Sequence, residues 1–361
     1  MKQEYNILYI VPKLPRMGEV AYSFIKEEIV LLRRKGVNSH LLEFNWRNLN
    51  VSYFIKKIIK TIEVDIIHAH FAFPYGALGS LLRVLYRKPL IITVHGFDVL
   101  ANKRLGYGIT RFSVGKVIVS HTLRNCHYII ANSRELFNSC IRLGIMENRV
   151  KFLPLGVDLM EFRPISLDYR FKRIREGYDF VILCAKSHER IYGINYLIRA
   201  FKFLKDEERD HKCLLVLVGG GRLIRNHMEL VRRLGIAKDV KILGSVARRF
   251  MKFFYNLADV IVVPSLIEGF GLTVAEALAC GRPVIGSAVG GILDQVVDGY
   301  NGFLVPPGDI QAIKEKLKIL LNNQGLLRRM QLNARLFAEK NLDIKKRIDS
   351  IIKLYKAIVK K

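Results

Sequence analysis

The sequence predicts an α/β protein built from two doubly wound, parallel-sheet domains. Three observations predict it. At 361 residues the chain exceeds what one core usually fills. Short apolar, β-branched runs alternate with amphipathic stretches, and after a break near residues 155–170 the same alternation starts again.

Ile7–Val11 reads as the first strand, followed by a helix near Tyr22–Lys35 with Ile25, Ile29 and Leu32 on one face. Ser39–Phe44, Ile66–Ala69, Leu90–Val94 and Tyr128–Ala131 follow as strands, short and apolar as strands covered on both faces should be. The segment Phe152-Leu-Pro-Leu-Gly-Val-Asp158, with Pro164 after it, stops regular structure. Strands resume at Phe180–Cys184, Leu214–Val218, Val240–Leu243, Val260–Val263 and Pro283–Ile285, with a helix through Tyr196–Phe203. From about Leu326 to Lys361 the chain reads as wholly helical and lysine-rich. Ligands of such sheets bind beyond the carboxyl ends of the strands, near topological switch points, and two facing sheets would leave a cleft.

Composition narrows the class. Half of the residues are hydrophobic and a quarter charged, which suits a folded rather than a disordered chain. No apolar run approaches the roughly 18–20 residues of a membrane span, and Ile7–Val11 is too short for a signal-peptide core. A cytoplasmic location is expected. Cys126, Cys140, Cys184, Cys213 and Cys280 have no metal spacing and read as reduced, buried thiols. The formal net charge of +27 is spread over both halves and favours polyanions: nucleic acid, anionic lipid or phosphorylated substrates. A generally basic solvated surface is the plain alternative.

The richest stretch runs from Pro264 to Val284. A strand ends at Pro264, a loop carries Glu268, Gly269, Phe270 and Gly271, and a helix begins near Leu272. Gly269 and Gly271 let the backbone approach a ligand, and the free N–H groups of a new helix suit an anion or sugar hydroxyls. Glu268 and Glu276 add carboxylates, each able to accept two hydrogen bonds from a vicinal diol.

Glu268 and Glu276, seven residues apart, resemble the Glu-x7-Glu motif of glycosyltransferase family 4, retaining enzymes with the GT-B fold. Asp259–Ser265, Gly290-Gly291, Asp298–Gly302, Val305–Asp309, Leu155–Asp158, Thr93–Asp98 and Ala131–Ser133 resemble its other segments in the same order. The resemblance implies two Rossmann-like domains facing a cleft. Residues 1–160 would bind acceptor, 161–335 the nucleotide sugar, and 336–361 would return as a helix to the first domain. It implies that Glu276 holds the ribose, that Glu268 and the amides of Phe270 to Leu272 meet the transferred sugar, and that Gly244, Ser245 and Val246 frame the base. His95 would be directed at the sugar, with Asp98 and Asn132 on the acceptor side. An aspartate at Asp98 can also simply cap a helix, so its place on the acceptor side is the less secure of these.

Two loops depart from the family pattern. In the loop after Cys184, Lys186 takes the place of the usual Arg, Tyr192 stands where a Lys is common, and Arg190 is the nearby cation. In the first loop only Gly18 remains of a glycine pair, and Arg16 either compensates or merely turns the chain. The sequence has no Asp-x-Asp, so neither a metal-bridged diphosphate nor any cofactor is expected. The implied reaction is retaining transfer of a hexosyl unit from a UDP- or GDP-sugar to a lipid-linked or polysaccharide hydroxyl.

His68 and His70 lack a third ligand and helical spacing, which argues against zinc. The basic stretch Tyr53–Lys60 and the charges of Lys103–Arg124 offer a peripheral seat on an anionic membrane, or are ordinary solvated helices. Nucleic-acid binding lacks any signature motif. A nicotinamide dehydrogenase lacks Gly-x-Gly-x-x-Gly after a strand, since Gly219-Gly-Gly221 does not continue into one. A catalytically silent nucleotide-sugar-binding protein of the same fold stays open because of Tyr192.

Overall fold

The computed structural model describes residues 5–14, 22–44 and 63–359. Arg16, Gly18 and the basic stretch 53–60 lie outside the described residues. The chain divides into two compact units, Met1–Leu155 with Ile344–Lys361, and Gly156–Asp343.

In the first unit β1 (Tyr5–Pro12), β2 (Val37–Phe44), β3 (Ile66–His70), β4 (Leu90–Val94), β5 (Tyr128–Ala131) and β6 (Val150–Phe152) form a sheet in the order β2-β1-β3-β4-β5-β6. Every pairing is parallel. Alternate residues of β1, Ile7, Tyr9 and Val11, are buried with Ile25, Ile29 and Leu32 of the helix Ser23–Arg34. Ser133 starts the helix Arg134–Arg142 by accepting from Leu136 N at 3.1 Å.

In the second unit β7 (Phe180–Ala185), β8 (Cys213–Val218), β9 (Val240–Ile242), β10 (Val260–Val263), β11 (Val284–Ser287) and β12 (Gly302–Val305) are ordered β12-β11-β10-β7-β8-β9 and again wholly parallel. β7 and β8 are continuous buried runs, as strands sandwiched between helices must be. The two strands that the hydrophobic pattern does not show, β6 and β12, are outermost in their sheets. β6 has three residues and β12 opens on Gly302, so neither offers an apolar run long enough to read.

The C-terminal stretch is not one helix. Ile310–Asn322 and Gln324–Asn341 belong to the second unit. Asp309 caps the first of them by accepting from Ala312 N at 2.9 Å. The chain breaks at Leu342 and Asp343, where Val157 N donates to Leu342 O at 2.8 Å. Ile344–Val359 then lays Ile348, Ile351 and Tyr355 against the β1 face of the first unit.

All five cysteines are free and buried. Burial pushes the thiols of Cys126, Cys184 and Cys280 up to about 12. The expected result with a thiol reagent at neutral pH is no reaction in the native protein and five reactive groups after denaturation. A rapid native phase would show that one of these sites opens.

Candidate active site

From β7 the chain runs outward to β8 and β9, then crosses back to place β10 on the other side of β7. The switch point of the second sheet therefore lies between β7 and β10, and their carboxyl ends bound the crevice where ligands bind. Lys186 is the first residue after β7, and Glu268 sits on the loop after β10. The two side chains form a mostly buried ion pair, and Ser265 Oγ donates to Glu268 Oε2 at 3.1 Å. Lys186 Nζ lies 4.8 Å from the centre of the Tyr192 ring. Burial alone would pull the ammonium down, but Glu268, its hydrogen bond and the Tyr192 oxygen together hold it above the usual lysine value. The pair thus favours the ammonium form of Lys186.

The backbones close in around this pair. A Cβ on Gly219 would stand 2.1 Å from Lys186 O, and one on Gly290 would stand 1.8 Å from Glu268 O. Both glycines also have positive φ, so no other residue type serves. Gly271, at φ 90°, opens the helix Leu272–Ala279. Thr273 Oγ1 donates to Ala185 O at 3.0 Å, bringing that helix start to the end of β7. Gln295 Nε2 donates to Phe270 O at 2.6 Å and fixes the loop from behind. Free N–H groups of the first helical turn, the Lys186 ammonium and the Glu268 carboxylate are therefore gathered at one switch point.

Glu276, one turn into the helix, is buried and engaged at both oxygens. Arg248 pairs with Oε1, and Tyr255 Oη donates to Oε2 at 2.7 Å. Arg248 and Tyr255 stand seven positions apart on the helix Arg248–Leu257, so they share its inner face. The motif reading missed both, because an arginine and a tyrosine on an amphipathic helix carry no local mark of a partner 28 and 21 positions away. Gly244 O accepts from Gly219 N at 2.7 Å, which ties the loop Gly244-Ser245-Val246 to the glycine turn after β8. Gly269 is buried beside Phe270, and Gly269 O accepts from Gly291 N at 3.2 Å. Arg190 is exposed, in the short turn that leads to Tyr192.

In the first unit the end of β4 carries His95. Asn132 Nδ2 is fixed as a donor by Val94 O at 3.0 Å and also donates to His95 Nδ1 at 3.2 Å. The His95 proton is left on Nε2, which faces His70 Nδ1 at 3.0 Å. His70 in turn carries its proton on Nε2, 3.6 Å from Glu28 Oε1, while Arg347 Nε donates to Glu28 Oε2 at 2.7 Å. Neither ring nitrogen of His95 is free, and the ring lies against Phe71 and Phe24, at centroid distances of 4.5 and 5.1 Å. Burial, then His70 and Arg347, push the His95 imidazole well below its usual range, so it is neutral. Asp98 is fully buried and accepts from the backbone N–H groups of Ala72, His95 and Gly96 at 2.9 to 3.1 Å. Both Asp98 and Asn132 hold the loop from beneath, and neither side chain reaches solvent.

The fold supplies a neighbour for His68 and His70 that the sequence does not show. Ligand atoms of Glu28, His68 and His70 lie within 4.8 Å of one another. The donors do not suit a metal, because His68 uses Nδ1 on Tyr355 Oη at 2.6 Å and Nε2 on Thr93 Oγ1 at 2.8 Å. Arg347 already supplies the positive charge beside Glu28.

Residues 4–161 match the family described as Glycosyltransferase Family 4, and residues 167–337 that described as Glycosyl transferases group 1. An uncharacterised glycosyltransferase of Methanocaldococcus jannaschii is 30% identical over 308 residues, covering 83% of this chain and 78% of its own length. A D-inositol 3-phosphate glycosyltransferase of Xylanimonas cellulosilytica is 33% identical over 284 residues, covering 75% and 67%. Among solved structures, sucrose-phosphate synthase from Thermosynechococcus elongatus shares the fold with a TM-score of 0.85 at 20% identity, over 98% of each chain. Anabaena HepE in complex with UDP does so with a TM-score of 0.79 at 19% identity, over 98% of this chain and all of its own. With two parallel Rossmann-like units, a charge pair at the switch point of the second and family matches along both, the chain belongs to the group 1 glycosyltransferases of GT-B fold.

Proposed function

We propose that the protein is a retaining, metal-independent hexosyltransferase that moves sugar from a nucleotide-sugar donor to a lipid-linked or polysaccharide hydroxyl. The second unit takes the donor and the first the acceptor. The observation that carries this reading is the Lys186–Glu268 pair at the β7/β10 switch point, beside the start of the helix Leu272–Ala279.

A departing nucleoside diphosphate gathers negative charge as the anomeric C–O bond breaks. The Lys186 ammonium and the helix N–H groups stabilise that charge without reorganising at the moment of reaction. Arg190, exposed nearby, adds a second cation once phosphate is present. Glu268 orients hydroxyls of the transferred sugar, and Glu276, paired with Arg248, offers its remaining lone pairs to the ribose diol. The loop of Gly244, Ser245 and Val246 frames the base. The acceptor oxygen attacks the face that the diphosphate leaves, and its proton passes to the departing phosphate oxygen. His95, neutral and tied at both nitrogens, shapes the sugar-side wall in this scheme rather than moving a proton.

UDP-sugars are the first donors to screen, since HepE, of like fold, is described in complex with UDP and UDP-glucose. The test is nucleotide release from a panel of UDP- and GDP-sugars, with and without EDTA. Release from one donor, insensitive to EDTA and reduced at least ~100-fold in Glu276→Ala, supports the reading. Tight binding of a donor without turnover would instead identify a silent nucleotide-sugar-binding protein.

A further inference from the structure

The scheme above uses Lys186 and Glu268 and leaves Tyr192, the third member of their cluster, without a part. The fold holds Tyr192 at the β7/β10 switch point through its backbone. Its turn, Arg190–Tyr192, is tied to the loop after β10, where Ile191 O accepts from Leu266 N at 2.7 Å. Gly193 follows at φ 60°, and a Cβ there would stand 2.2 Å from Pro264 O. Ahead of the turn, the Glu189 carboxylate accepts from Arg222 N at 3.1 Å and from Arg222 Nε at 3.0 Å, on the glycine turn after β8. That last pair is largely exposed and the lesser clasp.

So held, the ring meets the lysine. Lys186 Nζ lies 4.8 Å from the ring centre, within the range of a cation–π contact. The Lys186 side chain is only 8% exposed, so water screens this attraction little. Burial pushes the Tyr192 phenol up, and the ring beside the ammonium is neutral. The two partners of Lys186 therefore act differently. A carboxylate holds an ammonium and cancels its charge, whereas a neutral ring holds it and leaves the charge whole. The difference counts once a donor arrives. Glu268 must then share its oxygens with sugar hydroxyls, while the ring keeps its grip.

We propose that the Tyr192 ring is a positioning element that seats the Lys186 ammonium at the switch point with its charge free for the diphosphate. The proposal rests on the transferase reading and deepens it, since Tyr192 acts through Lys186 rather than on the substrate.

The test is a double-mutant cycle of Tyr192→Leu and Lys186→Met, with Tyr192→Phe as the conservative variant. Tyr192→Leu keeps apolar bulk and removes the ring face, so kcat should fall about 10-fold with KM changed less. Tyr192→Phe should stay within ~3-fold of wild type, because the ring remains. In Lys186→Met the leucine substitution should cost nothing further, there being no cation left to hold. The alkaline limb of kcat should lie about one pH unit lower in Tyr192→Leu than in wild type, a shift that loosening of the turn would not give. Denaturant unfolding of the same four proteins reads the coupling with no substrate present. Coupling there, with no turnover of any nucleotide sugar by wild type, would support the seating of Lys186 and sink the transferase reading. Additive losses in both readouts overturn the proposal, because the ring would then act independently of Lys186. A loss in Tyr192→Phe as large as that in Tyr192→Leu overturns it too, by assigning the effect to the hydroxyl.

Discussion

Lys186→Met is expected to lower the rate of sugar transfer by about 100- to 1000-fold while leaving the fold intact. The side chain lies at the switch point of the second sheet, and methionine fills nearly the same volume without the charge. The loss should fall on kcat, because the charge being stabilised grows only as the diphosphate departs. Glu268→Gln tests the other half of the pair by a different route. With the carboxylate gone, the strongest influence left on Lys186 is burial, which pulls its ammonium down. Wild-type enzyme, whose Lys186 is held above the usual lysine value, should keep its activity into alkaline pH. The Glu268→Gln variant should lose activity as pH rises through its lowered lysine value, in addition to losing sugar contacts. A pH profile of kcat separates the two. Parallel profiles would mean that Glu268 acts on the sugar alone, and an unchanged kcat in both variants would remove the pair from the mechanism.

The parts of this site that could be read in the sequence are those set by the backbone. A strand end, a glycine loop and a helix start put Glu268, Gly271 and Leu272 in place through local geometry, and local geometry leaves a pattern in consecutive residues. The hydrophobic alternation gave the inner strands for the same reason, since burial on both faces needs an unbroken apolar run. What it could not show depends on residues far apart in the chain. Arg248 meets Glu276 across 28 positions, and Arg347 meets Glu28 across 319. Neither has a local signature, because a lone arginine on an amphipathic helix reads as a solvated face. The break at Leu342 and Asp343 was hidden likewise, both flanking segments being basic and helical. Gly18 and Arg16 belong to a loop outside the described residues, so their part rests on the motif alone.

Arg347→Met is expected to destabilise the first unit by about 3–5 kcal/mol. Glu28 and Arg347 are both buried, and the pair joins the helix Ser23–Arg34 to the last helix of the chain. Removing the cation strands a carboxylate where water cannot reach it. Removing both charges, in Glu28→Met with Arg347→Met, should recover most of the loss, because the cost lies in the uncompensated ion rather than in the missing bond. Denaturant unfolding followed on the first unit's transition measures both.

The same network fixes the sign of the acid response. Burial first, then Arg347, pulls His70 down to about 3, and His68 and His95 are pushed well below their usual range. The unfolded chain takes up these protons near pH ~6.5 and the folded chain does not. Stability from the neutral cluster is therefore complete above pH ~6.5 and falls as pH drops, by about 1.4 kcal/mol per pH unit for each histidine, toward its folded value. In Arg347→Met the cation that depresses His70 is gone, and a protonated His70 stands 3.6 Å from the stranded Glu28. That imidazolium can replace the guanidinium as the carboxylate's counter-charge. The variant should thus be much weaker than wild type at pH ~7 and lose less stability than wild type between pH ~7 and ~5. Equal slopes in the two proteins would show that Glu28 does not sense His70, and that the three histidines above the last helix are held neutral by burial alone.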